Sequence, residues 1–270
     1  MDTQLIIPKG KKVYFASDFH LGFPNLEESI SREKELVKWL DLIKIDAHAL
    51  FLVGDLFDFW FEYRQTIPKG FVRFIGKLAE LSDLGIEIHI FVGNHDLWMR
   101  DYFQKELSAK IYRESCQMDL IFDEVSHLIY IGHGDGVGPG DYGYKFLKKI
   151  FTNPIAQFCF RLLHPDLGIK LAHYWSNTRK SNAIKDGVVA FDENTDFILA
   201  YVKTILKSHS ENVRPIQSFI FGHRHHPIAF PLNENTTYYN LGDWFSPNFK
   251  NAYSLSISEY ETKFQVYHKS

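Results

Sequence analysis

The chain has 270 residues, 45% of them hydrophobic, and a net charge of −3. That length buries a sizeable core, and the near-neutral balance excludes a general nucleic-acid binder, which would be clearly basic. Cys116 and Cys159 are the only cysteines, so neither a disulfide framework nor a thiolate metal site is expected.

The amino-terminal stretch Met1 to Pro8 holds the apolar run Leu5-Ile6-Ile7, far short of a signal-peptide core. No segment approaches the roughly 20 apolar residues of a membrane span. A soluble protein of a reducing compartment is expected. Lys12 to Ser17 reads as a buried strand that ends at Asp18 and His20, with Gly22 and Pro24 opening a loop. Leu26 to Ile43 reads as an amphipathic helix, with Leu26, Ile30, Val37 and Leu40 at helical spacing. Ala49 to Val53 is a second strand, ending in Gly54-Asp55 and leading to Asp58. Phe71 to Leu81 predicts another helix, stopped near Gly85. Ile86 to Val92 is a third strand, ending in Gly93-Asn94-His95-Asp96. Strand, polar cluster and helix repeat three times, as in α/β architecture with ligands at strand carboxyl ends.

After a helical stretch near Leu97 to Leu107, the runs Met118 to Phe122 and Leu128 to Ile131 predict an antiparallel pair, the second ending in Gly132-His133-Gly134-Asp135. Asp192 to Ser208 reads as a helix. Ser218 to Phe221 leads into Gly222-His223-Arg224-His225-His226. In the tail, Thr237 to Leu241, Ala252 to Ile257 and Lys263 to Tyr267 alternate like meandering antiparallel strands. One domain over 1–270 is expected, with a helical lid inserted at about 141–180. There Phe146, Leu147, Ile150 and Phe151 make one apolar stripe, Ile155, Phe158, Cys159, Leu162 and Leu163 a second, and Leu171, Ala172 and Trp175 a third. The same segment carries seven basic residues against Asp141 and Asp166. A solvated basic face is the plain reading. The sharper one is a lid for a substrate with acyl chains and phosphates, or for an anionic bilayer surface.

Asp, His and Asn without Cys make a mixed oxygen and nitrogen donor set, suited to Mn, Fe, Zn or Co rather than a structural zinc. About seven such residues are too many for one tetrahedral ion and fit two ions sharing a carboxylate, which can clamp an in-line displacement at phosphorus. Gly54, Gly93, Gly132 and Gly222 each precede one of them, where backbones would crowd a metal pair. Arg224 is expected to point away from the metals and to pack. His48, His89, His127, His164, His173, His209, His226 and His268 fall outside the clusters and read as structural or solvated.

The ordered set of Asp18 and His20, Asp55 and Asp58, Asn94-His95-Asp96, His133, then His223 and His225 resembles the calcineurin-like metallophosphoesterase superfamily, from about Lys12 to Tyr239. The resemblance implies an α/β fold, a β-sandwich flanked by helices in α-β-β-α layers. It implies two divalent ions, Mn²⁺ foremost. One would be held by Asp18, His20, Asp55 and His225, the other by Asp55, Asn94, His133 and His223, with Asp55 bridging. His95 is not a ligand in this pattern; it would lie beside the scissile phosphate with Asp96 orienting it, while Asp58 and Asp135 support the ligands. The insertion before the last motif resembles LpxH-type UDP-2,3-diacylglucosamine diphosphatases. In that resemblance Asn94, His95, Asp141, Tyr144, Ser176, Asn177, Arg179 and Lys180 meet the substrate. Many enzymes of that type read GNRD where this chain reads GNHD. The implied reaction gives UMP and 2,3-diacylglucosamine 1-phosphate, in lipid A biosynthesis, by a cytoplasmic enzyme peripheral to the inner membrane, with no nucleic acid and no obligate protein partner. A hydrolase of soluble nucleotides and a non-catalytic metal-binding scaffold are the alternatives.

Overall fold

The structure, a computed structural model, describes residues 3–123, 125–138, 142–170, 191–209 and 214–269. Within them two six-stranded sheets stack face to face. The first runs in the order β12 (Thr262–Val266), β11 (Tyr253–Ile257), β2 (Lys12–Ala16), β3 (Ala47–Val53), β4 (Glu87–Phe91) and β5 (Lys110–Tyr112). Strands β2 to β5 are parallel, and α1 (Leu26–Ile43), α2 (Val72–Asp83) and α3 (Tyr102–Leu107) make the crossovers. The second sheet runs β1 (Thr3–Ile7), β6 (Cys116–Phe122), β7 (Val125–Ile131), β8 (Ser218–Phe221), β10 (Thr236–Leu241) and β9 (Pro227–Asn233).

The near-continuous apolar runs follow from burial on both faces of each central strand. In β2, Val13 and Phe15 face the other sheet and join Phe51, Met118, Ile129 and Ile220 in the inter-sheet core. Tyr14 and Ala16 point the other way and join Leu36, Leu40, Phe74 and Leu78 under α1 and α2. A third core sets Ile198, Leu199 and Val202 of α6 (Phe197–Ser208) on Phe219 and Tyr238, on the outer face of the second sheet. The layers are helix, sheet, sheet, helix. Each fully buried large apolar side chain contributes about 1.5–3 kcal/mol. The abundant aromatic residues concentrate beside the first sheet, where Phe57 stacks on Trp60 at 4.3 Å and on Phe103 at 5.9 Å.

Helix ends are closed from nearby and from afar. Asn25 caps α1, accepting from Glu28 N at 3.0 Å. Phe71, at the start of α2, has no side-chain acceptor to offer; the buried Glu33 of α1 accepts from Arg73 N at 3.1 Å and Phe74 N at 3.3 Å instead. One carboxylate thereby fixes α2 against α1.

Several sequence expectations are corrected. The tail is not one meander: β10 lies between β8 and β9 in the second sheet, whereas β11 pairs with β2 in the first. Strands β1, β5 and β9 have no counterpart in the sequence pattern. The helix expected from Asp192 begins at Phe197, where the Asp196 side chain accepts from Leu199 N and ends the turn before it. The helix expected near Leu97 to Leu107 is only Tyr102–Leu107. Of the three stripes in the inserted segment, the first two are α4 (Tyr142–Thr152) and α5 (Pro154–Arg161). The third, at Leu171, Ala172 and Trp175, lies outside the described residues.

Candidate metal centre

Strands β2, β3, β4, β7 and β8 end along one edge of the sandwich, and the loops after them converge. Asp18, His20, Asp55, His223 and His225 all carry positive φ, between 44° and 71°. Non-glycine residues seldom adopt this conformation, and five of them in one cluster mark backbone strain held where function needs it. Two glycines make the close approach possible: a Cβ on Gly93 would collide with the Asp55 carboxylate, and one on Gly222 would lie 2.5 Å from Asp18 Oδ2.

Three groups of donor atoms result, each gathered within 4.8 Å: Asp18, His20, Asp55 and His225; Asp55, His133 and His223; and His20, Asp58 and His95. His20 Nε2 faces His225 Nε2 at 3.2 Å, and His225 Nε2 lies 3.2 Å from Asp18 Oδ1. Asn94 Oδ1 lies 3.3 Å from His133 Nε2. Asp55 is shared. Its Oδ1 accepts from His95 N at 2.8 Å, while Oδ2 lies 3.5 Å from His20 Nε2 and 3.3 Å from His133 Nε2. Asp55 Oδ2 is buried and accepts no hydrogen bond. An orphaned buried carboxylate oxygen between imidazole nitrogens is costly unless a cation meets it, so this donor set fits divalent ions.

The electrostatics agree. Burial would raise Asp18 and Asp55, but the surrounding histidines outweigh it and hold both below the usual carboxylate range. Burial would lower His133, but Asp55 outweighs it and holds the imidazole up at about 10. Burial, with His133 adding, lowers His223 to about 4; burial lowers His20 to about 3. One histidine thus takes the positive charge that a bound cation would supply, and loading a metal would release that proton. His133 Nδ1 donates to the Val53 carbonyl at 2.8 Å, which aims Nε2 at the cluster.

His95 lies at the rim, its ring 4.7 Å from that of His20. Its Nδ1 is 2.8 Å from the Asp58 carbonyl, an acceptor only, so Nδ1 carries the hydrogen and Nε2 remains to act. The Asp58 carboxylate lies 3.7 Å from the same nitrogen. Asp96 does not orient His95. Its two oxygens accept from Gly93 N at 2.6 Å and Leu56 N at 2.8 Å, tying the β3 and β4 loops together. Burial and the nearby Asp55 raise its carboxyl to about 7. Sequence adjacency suggested Asp96; the chain turn places Asp58 there instead.

Arg224 does more than pack. Its Nε pairs with Asp196 Oδ2 at 2.9 Å and its guanidinium lies over the Phe197 ring, joining the last site loop to the start of α6. Tyr144, expected at the substrate, is buried and gives its hydroxyl to Asp135 Oδ2 at 2.5 Å, which Lys148 also meets at 2.6 Å. Asp141, Ser176, Asn177, Arg179 and Lys180 lie outside the described residues. Sequence reasoning missed Trp98 and Phe61. Trp98 Nε1 donates to the Phe151 carbonyl at 2.6 Å, and Phe160 packs on both rings at 4.6 and 4.8 Å, which seats α4 and α5 on the segments after β3 and β4. The aromatic content near Phe57 to Phe61 was the available signal.

The calcineurin-like phosphoesterase family model matches residues 11–227, which span every one of these clusters. The chain belongs to this family. A UDP-2,3-diacylglucosamine hydrolase from Porphyromonas gingivalis is 34% identical over 88% of this chain and 92% of its own length. A protein of the same name from Edwardsiella ictaluri is 30% identical over 67% of this chain and 64% of its own, and one from Histophilus somni is 26% identical over 87% and 92%. This phosphoesterase is a metal-dependent hydrolase with α-β-β-α layers, as the motif order implied. Among the described residues, no helix is long and apolar enough to cross a membrane.

Proposed function

We propose that this phosphoesterase hydrolyses UDP-2,3-diacylglucosamine at the α-phosphorus, giving UMP and 2,3-diacylglucosamine 1-phosphate in lipid A biosynthesis. The observation that carries the reading is an exposed apolar helix pair anchored to Trp98, three residues after His95, and to Asp135, two residues after His133. On α4 and α5, Phe146, Ile155 and Phe158 are exposed by 67, 72 and 57%. Greasy faces on helices held by segments that follow the site loops suit acyl chains, and the three named relatives support that substrate.

Asp18, His20, Asp55 and His225 would hold one divalent ion, and Asp55, Asn94, His133 and His223 the other, Mn²⁺ being our choice for both. Bound there, the pair supplies charge neutralisation at phosphorus and polarisation of the attacking water. The chain's own residues do the rest. His95, with Nδ1–H fixed on the Asp58 carbonyl, presents Nε2 to the phosphate and, in its doubly protonated form, gives the Nε2 proton to the departing phosphate oxygen, leaving the neutral ring. Asp96 keeps the β3 and β4 loops in register, so that Asp55 and His95 approach together. The helix pair excludes water from the acyl side. Asp141, Tyr144, Ser176, Asn177, Arg179 and Lys180 belong to the segment we assign to the sugar and phosphates, and its basic charge suits a peripheral position on the cytoplasmic face of the inner membrane.

The bond that breaks is readable. In water enriched in ¹⁸O, attack at the α-phosphorus puts the label on UMP. Label on the diacylglucosamine 1-phosphate would refute the assignment.

A further inference from the structure

A cavity of about 310 Å³ opens beside His133, between the loop after β5 and the loop after β7. It reaches the low end of the range of about 300–1,000 Å³ for small-molecule sites. Its construction is deliberate in its chemistry. The hydroxyls of Tyr130 and Tyr201 meet at 2.9 Å, and the Ser115 hydroxyl bonds that of Tyr130, so three hydroxyls from β7, α6 and the β5 loop line one wall. A Cβ on Gly132 would strike Ser115, so the glycine is what lets the loop close onto β7. Arg113, also in the lining, is fixed by donating to the Met99 carbonyl at 2.6 Å. Two basic side chains, Arg113 and Lys148, are balanced by Glu114 and Asp135.

That lining suits neither of the substrate's other parts. An acyl chain could not use the hydrogen-bonding capacity that the row of hydroxyls keeps beyond its two internal bonds. A second phosphate would gain nothing from a wall whose charges cancel. A neutral heterocycle on a ribose, with carbonyl, N–H and hydroxyl edges, matches both properties. His133 belongs to the metal cluster and to the cavity wall, so a substrate whose phosphate sits at the cluster can reach in with the group attached to that phosphate.

We propose that this cavity is the subsite for the nucleoside of the substrate, with Tyr130, Tyr201 and Ser115 meeting the edge of the pyrimidine or its ribose. The proposal rests on the substrate reading above and extends it to the arm that leaves as the nucleoside monophosphate.

The test irradiates the metal-loaded protein with 5-iodo-UMP and maps the adduct by peptide mass spectrometry. The adduct should fall on Tyr112, Tyr130 or Tyr201, and excess UMP should suppress it where equal inorganic phosphate does not. The doubly substituted Ser115→Ala, Tyr201→Phe protein should bind UMP roughly tenfold more weakly while its binding of inorganic phosphate changes less. The cross-link uses the unaltered chain, so it stands even if the variant fails to fold. An adduct on α4, α5, Phe61 or Trp98, or equal weakening of UMP and phosphate, would overturn the subsite. If UMP is still released from the acylated substrate in that case, the subsite alone is wrong. A protein that neither binds UMP nor releases it overturns the substrate reading, and the subsite with it.

Discussion

His20 and His225 stand 205 positions apart in the chain, yet their Nε2 atoms face one another at 3.2 Å with Asp18 Oδ1 3.2 Å from the second. Two imidazole nitrogens and a carboxylate aimed at one point ask for a cation. On the other side of Asp55, His133 and His223 make the same demand. Asp55→Ala should therefore remove ligands from both ions, and His225→Ala from one. Metal analysis of the purified proteins should find two ions per chain in the parent, near one in His225→Ala and fewer in Asp55→Ala. Equal loss in both variants would contradict a shared Asp55.

His95 tests the division between ligands and acid. His95→Ala should lower kcat by roughly 10²–10⁴-fold, the range for a positioned general acid. Both ions should remain. Loss of metal from that variant would mean that His95 is a ligand, a role its place in the third donor group with His20 and Asp58 would then explain.

Arg224 couples the site loop to α6. Asp196 is 1% exposed and the Arg224 side chain 26%, so removing the arginine strands a buried charge. Removing one partner of a fully buried pair costs about 3–5 kcal/mol; with the arginine partly in water, Arg224→Ala should cost about 2 kcal/mol. The urea midpoint of the metal-free protein measures it. No change would show that Asp196 finds another partner.

His89 predicts an acid-sensitive fold away from the site. Burial, with Lys110 adding, lowers its imidazole to about 4, against about 6.5 in an unfolded chain. The folded state therefore binds fewer protons between those values, and stability falls as pH drops from about 6.5 toward 4. The loss should be on the order of 2 kcal/mol by pH 5. His89→Phe, stacked on Phe51 as the imidazole is, should flatten that part of the profile. Parallel profiles for parent and variant would assign the acid sensitivity elsewhere.

Much of this was legible because the site residues directly follow apolar runs. Asp18, Asp55, Asn94, His133 and His223 each mark where a buried strand ends, and α1 begins and stops where its periodicity does. Other features leave weaker traces. β1 is five residues long, with Ile6 exposed and Leu5 and Ile7 buried, so its pattern is too short to read. β9 contains Pro227 and Pro231, which demote a run unless it is an edge strand, as here. Alternation in β10 and β11 shows strands but not which sheet receives them. Asp58 and Asp96 are equally acidic in sequence. Which of them reaches His95 depends on how the β3 and β4 loops cross, and only packing decides that.

The central claim is that this metal centre serves an acylated nucleotide sugar. Its most direct test compares initial rates of UMP release, with Mn²⁺ present, from UDP-2,3-diacylglucosamine and from the same UDP-sugar without acyl chains. The account expects rapid release from the first and much slower release from the second, with the gap narrowed in a Phe146→Ser, Phe158→Ser variant. Equal rates on the two substrates would contradict it and point to a hydrolase of soluble nucleotides.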